Sequence, residues 1–454
     1  MRTPLRLALA TAAVTALTSS LLVSPARATP ASPAAARTVL PDDFNGDGHR
    51  DYAVGHPHDG GGRVAVTYGT SRGPGSTTVH LGQHSPGVPG ADEPGDEFGG
   101  VLSPADFNGD GYGDLAVSSI GEAINGQDRR GAVVILWGSP RGLAGGTSVP
   151  SAGYQAWNMF GSDLATGDFD GDGDVELAAV ESSNAFVFQG TYARGAIAVR
   201  PVLVDRGHFY ASNLIAGKVT KDRATDLVVL GAVPRNSRLT GHARFFRGGA
   251  TELVQGRSIP LDVVEDEMGS GVVADFDKDG YGDIAIGTPL ANRGKGYVTV
   301  WRGGAKGPTA HRRIDQATAG VSGTPESGDR FGASLAAGDV DRDGRADLAV
   351  GVPGEDLGTK ADAGSVHVLR GHRSGLTARA TQYLDRATPG VPGPVTTGDA
   401  FGNTVRLADH GHDGRADLHV TGTTGSLRLH GSASGITTRG ATVIPEGHVV
   451  GILR

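Results

Sequence analysis

FGASLAAGDVDRDGRADLAVGVP, residues 331 to 353, sets Asp339, Asp341, Asp343 and Asp347 at positions 1, 3, 5 and 9 of a short loop, with Gly344 at position 6. If the backbone curls tightly, alternate side chains project inward, and Gly at position 6 permits the turn. Hard oxygen donors in that pattern suit a hard cation, and calcium fits best. The loop is entered from SLAAG and left into DLAVG, short alternating runs of small and apolar residues. It therefore joins two β-strands, unlike an EF-hand, which joins two helices.

The same pattern recurs. Aligned on the position-nine acid, the chain gives Asp51, Asp114, Glu176, Asp226, Asp283, Asp347 and Asp417, spaced 63, 62, 50, 57, 64 and 70 residues apart. Seven near-equal units of short, turn-bounded strands point to a radial repeat. The fold expected is all-β, a seven-bladed β-propeller of four-stranded antiparallel blades with calcium loops.

Five units carry a full ligand set: Asp43, Asn45, Asp47 and Asp51 in unit one; Asp106, Asn108, Asp110 and Asp114 in unit two; Asp168, Asp170, Asp172 and Glu176 in unit three; Asp275, Asp277, Asp279 and Asp283 in unit five; Asp339, Asp341, Asp343 and Asp347 in unit six. Asn in place of a carboxylate weakens the first two sites, and the longer Glu176 still reaches the ion. Unit four has Lys218 at position 1 and Arg223 where the turn wants Gly, so it is expected to be metal-free and held by apolar packing. Unit seven keeps Asp409, Asp413 and Asp417 but has Gly411 at position 3, which leaves at most a weak further site.

Arg2 and Arg6 precede an apolar run from Leu7 to Val23, and Ala26-Arg27-Ala28 offers a cleavage site. Residues 1–28 are expected to be a secretory signal, 29–37 a Pro/Ala-rich segment and 38–454 the propeller. The mature chain should then be secreted, monomeric and not inserted in a membrane. Without cysteine it has no disulfides, so core packing and metal must hold it. The net charge is −8, or −11 without the three arginines of the leader, and five divalent ions would bring it to −1. The acidity is thus read as chelating carboxylates, and no basic stripe exists for nucleic acid.

A second repeat leads into several loops: PGVPGADEPGDEFGG at 86–100, AGVSGTPESGDRFGAS at 319–334 and PGVPGPVTTGDAFGN at 389–403. Phe98, Phe160, Phe331 and Phe401 recur at one position, with Met268 in unit five, as packing between blades would require. F-G-x-x-L followed by D-x-D-x-D-G-x-x-D-L-A-V-G-x-P resembles the FG-GAP repeat of integrin α subunits and many secreted bacterial proteins. The resemblance covers essentially the whole mature chain, although unit four and the missing FG of unit one depart from it. It implies calcium in an inner hairpin loop of each blade, completed by the carbonyls of His49, Tyr112, Asp174, Tyr281 and Arg345. It also implies ligand binding by variable loops on the opposite face.

Gly69-Thr70-Ser71-Arg72-Gly73 matches the nucleophile elbow G-x-S-x-G, but GSPRG, GGAKG, GHRSG and GSASG fill the equivalent places, and no strand-to-helix context follows. Ser71 is a turn residue, and no catalytic constellation is found. The close pairs His56 and His58, and His410 and His412, are read as loop histidines. Trp137 and Trp301 are read as structural, whereas Trp157, in the irregular GYQAWNM loop, is the best candidate for stacking on a sugar or meeting a partner. The expected function is non-catalytic binding or adhesion to an extracellular protein or glycan. The alternative is a hydrolase, polysaccharide lyase or lectin on the same propeller.

Overall fold

The computed structural model describes residues 40–444 except 72, 154, 206, 208, 236, 237, 262 and 264–268. The expected leader, the Pro/Ala-rich segment, Thr38 and Met268 lie outside the described residues. Blade 6 shows the unit. Ser334–Gly338 pairs antiparallel with Asp347–Val352, which pairs with Ser365–Arg370, which pairs with Thr377–Leu384. Every residue of DLAVGV is buried. Successive strand residues face opposite ways, so burial of all of them means that sheets cover both sides. The fourth strand, TARATQYL, is largely open to solvent and forms the rim.

Seven such sheets follow one another along the chain, at 52–81, 98–148, 164–203, 210–260, 271–314, 334–384 and 404–444. Six have four strands in simple sequence order, and the first has three among the described residues. From blade 2 to blade 7 the first strands pack against one another around the axis. Those of blades 5, 6 and 7 line a cavity of about 260 Å³, with Val272, Leu335, Thr404 and Arg406 in its wall. The seven-bladed propeller read from the repeat is the fold.

Apolar clusters fill the six seams from blade 1–2 through blade 6–7. Phe98, Phe160, Phe331 and Phe401 stand in them, each no more than 1% exposed. The glycine after each Phe lets backbones meet across the seam. At blade 6–7 a Cβ on Gly351, in the second strand, would collide with the carbonyl oxygen of Gly402. Trp137 and Trp301 are buried in the same seams.

Among the described residues, no apolar cluster spans the seam between blades 7 and 1, and polar groups close the ring there. Asp42, 1% exposed, accepts from Arg50 at 2.6 Å and from Arg406 of blade 7. Burial opposes its ionisation, but these two guanidiniums hold its carboxyl below the usual range. Tyr52 stacks on His410 at 5.0 Å, and His410 on His419 at 4.4 Å. His410 is therefore a buried seam residue, not the solvated loop histidine expected, because Tyr52 of the neighbouring blade roofs it.

His367, fully buried on the third strand of blade 6, contacts the rings of Phe331 and Tyr383, and neither of its nitrogens has a hydrogen-bond partner. Desolvation lowers its pKa to about 4. A depressed histidine contributes stability above its unfolded pKa of about 6.5, and that contribution is lost as the pH falls through the folded value. Thermal unfolding between pH 7 and pH 4 should show this loss, on the order of 2 to 3 kcal/mol. His367→Phe should flatten that part of the profile.

Candidate metal centre

In blade 6 the loop closes on the pair Gly338 and Asp347, and Ala105–Asp114, Gly167–Glu176, Ala274–Asp283 and Ala408–Asp417 pair likewise in their blades. Inside it, Asp339 accepts from the N–H groups of Arg342 at 2.6 Å, Asp343 at 3.2 Å and Gly344 at 2.7 Å. Asp341 accepts from Asp343 N–H at 3.1 Å, and Asp343 from Arg345 N–H at 2.8 Å. The loop's own amides thus hold the side chains inward. The bond from the position-six glycine to the position-one carboxylate recurs at Asp43, Asp106, Asp275 and Asp409, between 2.8 and 3.0 Å.

The position-nine acid does something else. Asp347 accepts from Val340 N–H at 3.1 Å within the loop and from Gly371 N–H at 2.8 Å at the end of the third strand. Asp51 and Asp114 make the same two bonds, to Phe44 and Gly69 and to Phe107 and Gly138, at 2.7 to 3.0 Å. Gly303 and Gly431 donate in the same way to Asp283 and Asp417, at 2.8 and 3.0 Å. Only glycine fits at Gly371, because a Cβ there would strike the carbonyl oxygen of Ala346. This explains the recurring turn glycine, and Ser71 lies in such a strand–turn–strand link. Glu176, one methylene longer, keeps the loop bond to Phe169 N–H at 2.8 Å.

Burial pushes Asp51 and Glu176 up to about 8, Asp114 to about 7, and Asp283 and Asp347 to about 6, against the amides that favour the ionised form. A nearby cation would favour their ionised form.

Three loops bring carboxylates together so that one oxygen of each lies within 4.8 Å of the others: Asp168, Asp170 and Glu176; Asp275, Asp277 and Asp279; Asp339, Asp341 and Asp347. Asp172, Asp283 and Asp343 stand outside these triplets. In blades 1 and 2, Asn45 and Asn108 donate their amides to Asp47 at 3.2 Å and Asp110 at 3.0 Å, while their carbonyl oxygens accept N–H from those residues. Basic side chains approach several loops. Arg302 pairs with Asp277 at 2.6 Å, and Arg370 pairs with Asp341.

In blade 4 the Lys218 ammonium binds the carbonyl of Arg223 inside its own loop. In blade 7 Arg428 lays its guanidinium on Asp417, at 3.0 Å through Nε and 2.6 Å through Nη2. The further site sketched at Asp409, Asp413 and Asp417 thus has one of its carboxylates engaged by a built-in cation.

Loops between first and second strands share one face with the turns between third and fourth strands. The remaining connections lie on the opposite face. There Trp157 is 63% exposed at a positive φ of 63°, with the Arg129 guanidinium 5.9 Å from its ring centre. Its backbone is tied to the neighbouring blade by Trp157 N–H to Asp128 O, Met159 N–H to Arg129 O and Phe160 N–H to Arg130 O, at 2.9 to 3.0 Å. The same face holds carboxylates that the sequence reading passed over. Glu122 and Glu355 are pushed up to about 7 and Asp329 to about 6, chiefly by desolvation. The GDxFG repeat and the position thirteen residues before its Asp were the available signal.

Three segments, 98–136, 269–301 and 331–369, match the FG-GAP repeat. The chain carries FG-GAP repeats at these three places. Stretches of it are 32% identical to phosphatidylinositol-glycan-specific phospholipase D of Rattus norvegicus, over 34% of this chain and 19% of that one. It is also 32% identical to integrin alpha-IIb of Mus musculus, over 38% of this chain and 17% of that one. The chain thus spans under a fifth of the length of these relatives. Among solved structures, a lectin of Agrocybe aegerita aligns with a TM-score of 0.50 and 15% identity over 88% of this chain and 91% of that one, a likeness of fold. Among the described residues, no helix is long and apolar enough to cross a membrane.

Asp226 separates the structural from the chelating role of the FG-GAP loop acids. In the blade whose loop carries Lys218, it is 1% exposed and accepts from Thr220 N–H at 2.7 Å and Gly248 N–H at 3.0 Å. Asp226→Asn should destabilise the chain by roughly 2 kcal/mol, because an amide nitrogen would face an N–H donor. Denaturant melts should show the same loss in calcium and in chelator.

Proposed function

We propose that this chain is a secreted, calcium-stiffened binding protein that recognises an extracellular glycan or protein without altering it. Trp157 carries the reading. A large aromatic side chain left in water, on a backbone fixed by three hydrogen bonds and beside a guanidinium, is a preorganised stacking platform. Its place opposite the metal loops agrees with the ligand face that the FG-GAP resemblance implies. The recognition of non-reducing terminal N-acetylglucosamine by the Agrocybe aegerita lectin, on a similar fold, puts glycans first among ligands to test.

Calcium would be held by Asp168, Asp170 and Glu176, by Asp275, Asp277 and Asp279, and by Asp339, Asp341 and Asp347, with weaker sites at the loops of Asp43 and Asp106. Bound there, it would supply the positive charge that the buried carboxylates need in order to ionise. An ion present at 100 times its dissociation constant stabilises by about 2.7 kcal/mol per site. At least five bound calcium ions by elemental analysis, and a melting temperature many degrees lower in chelator, are the expected results. Asp341→Ala should remove one ion and most of one site's share.

A glycan array with product analysis tests the binding reading. Retained ligand, unchanged on recovery, is expected, with Trp157→Ala lowering affinity at least tenfold and leaving the melting temperature unaltered. Released product would replace this reading with an enzyme.

A further inference from the structure

On the face opposite the metal loops, one arrangement is built three times. Gln83, Gln316 and Arg386 begin it, and thirteen residues later come Asp96, Asp329 and Asp399 of the GDxFG repeat. Each of these Asp carbonyls accepts an N–H from the link between the second and third strands: Gly121 at 3.0 Å, Gly354 at 3.0 Å and Thr423 at 2.6 Å. The next residues are Glu122, Glu355 and Thr424.

The third copy shows what the place is for. Arg386, 6% exposed, donates Nε to Asp399 at 2.9 Å, Nη1 to the Pro392 carbonyl at 2.7 Å, and Nη2 to Thr424 Oγ1 and the Gly425 carbonyl, both at 3.1 Å. One carboxylate, two carbonyls and a hydroxyl surround a positive charge, and the charges of Arg386 and Asp399 cancel.

In the other two copies the guanidinium is gone and a second carboxylate has arrived. Gln83 donates its amide to Glu122, and Gln316 donates to Glu355 at 2.5 Å. The carbonyl oxygen of each glutamine is then left buried without a hydrogen-bond partner, in side chains 6% and 3% exposed. Asp96, Glu122 and Asp329 are each 7% exposed or less. Lys295, tied to the Pro325 carbonyl at 2.9 Å, is the basic group whose charge reaches Asp329. Glu326 and Asp356 add negative charge to that copy, as Asp92 and Glu93 do to the first. Exchanging Arg and Thr for Gln and Glu takes each place from neutral to a formal charge of −2, with only Glu355 partly exposed, which is costly for carboxylates without a counter-charge.

We propose that Gln83, Asp96 and Glu122, and Gln316, Asp329 and Glu355, form two divalent-cation sites of the calcium type, in which a bound ion stands where Arg386 stands in the third copy. Each orphaned amide oxygen is then a ligand, two carboxylates balance the charge, and the carbonyls of Pro89 and Ser322, at the positions of Pro392, are within the same turn. Hard oxygen donors of this kind suit calcium. These sites are separate from the FG-GAP loops, on the face that carries Trp157.

The test transplants the third copy. Gln83→Arg with Glu122→Thr, combined with Gln316→Arg and Glu355→Thr, should give a folded chain that binds two fewer calcium ions than wild type by elemental analysis after calcium equilibration. The single changes Glu122→Gln and Glu355→Gln should each remove one ion and carry the test if the fourfold variant does not fold. Arg386→Gln with Thr424→Glu should add one ion in blade 7. An unchanged ion count in folded single variants overturns the proposal and means that the carboxylates share protons instead. Because the loop ligands are intact in all of these variants, failure here is distinguishable from failure of the loop sites, which Asp341→Ala reports.

Discussion

The structure depends on a buried carboxylate that accepts two backbone N–H groups at once. At position nine it accepts an N–H from the start of its own loop in blades 1, 2, 3, 4 and 6 and, in six of the seven blades, one from the glycine that ends the third strand. Three stretches of backbone that would otherwise end in unpaired amides are fixed by one side chain. An ionised acceptor makes those bonds stronger than neutral ones, but burial works against ionisation. A cation in the loop relieves the conflict. Asp226 shows that the clasp itself does not require a metal ion, since it persists where the Lys218 ammonium occupies position 1.

Seams then make blades into a ring. Each apolar cluster draws on two neighbouring sheets, so no blade completes its core alone. This is the physical sense of a repeat protein, in which neighbour contacts carry the stability. The last seam differs, being closed by Asp42 between Arg50 and Arg406 and by the stack of Tyr52, His410 and His419. Buried ion pairs contribute less net stability than apolar packing but tolerate only one geometry, which suits the junction where the two ends of the sheet series meet.

Much of this was legible in the sequence. The DxDxDG spacing gave the loop, its recurrence gave seven blades, and the FG step gave the Phe at the seams. All three are local patterns, repeated with a period that few folds share. What lay hidden depends on contacts between blades. Nothing near Gly351 says that the carbonyl of Gly402 will press on it, and nothing near His410 says that Tyr52, some 360 residues earlier, will cover it. The Phe at position two of DFNGDG reads as an ordinary apolar residue, yet the N–H of Phe44 is half of the clasp on Asp51. The separation of Asp343 from its triplet was equally out of reach, because Arg345 at 3.0 Å draws it aside.

A common rule links the two faces. Among the described residues, three gatherings of oxygen ligands have their positive charge supplied by a side chain. Lys218 serves the loop of blade 4, Arg428 that of blade 7, and Arg386 the third copy on the opposite face. In blade 7 the loop has also lost its position-three ligand, and beside Arg386 a Glu has become Thr. In each case the internal cation accompanies a smaller negative set, as charge balance in a low-dielectric place demands. Blades 3, 5 and 6 keep the larger sets. Arg302, half-exposed, and Arg370, largely buried, already lean on those of blades 5 and 6 and offset part of their charge. On this balance an ion would be called for at the FG-GAP loops that kept their acids and not in the blades with internal cations.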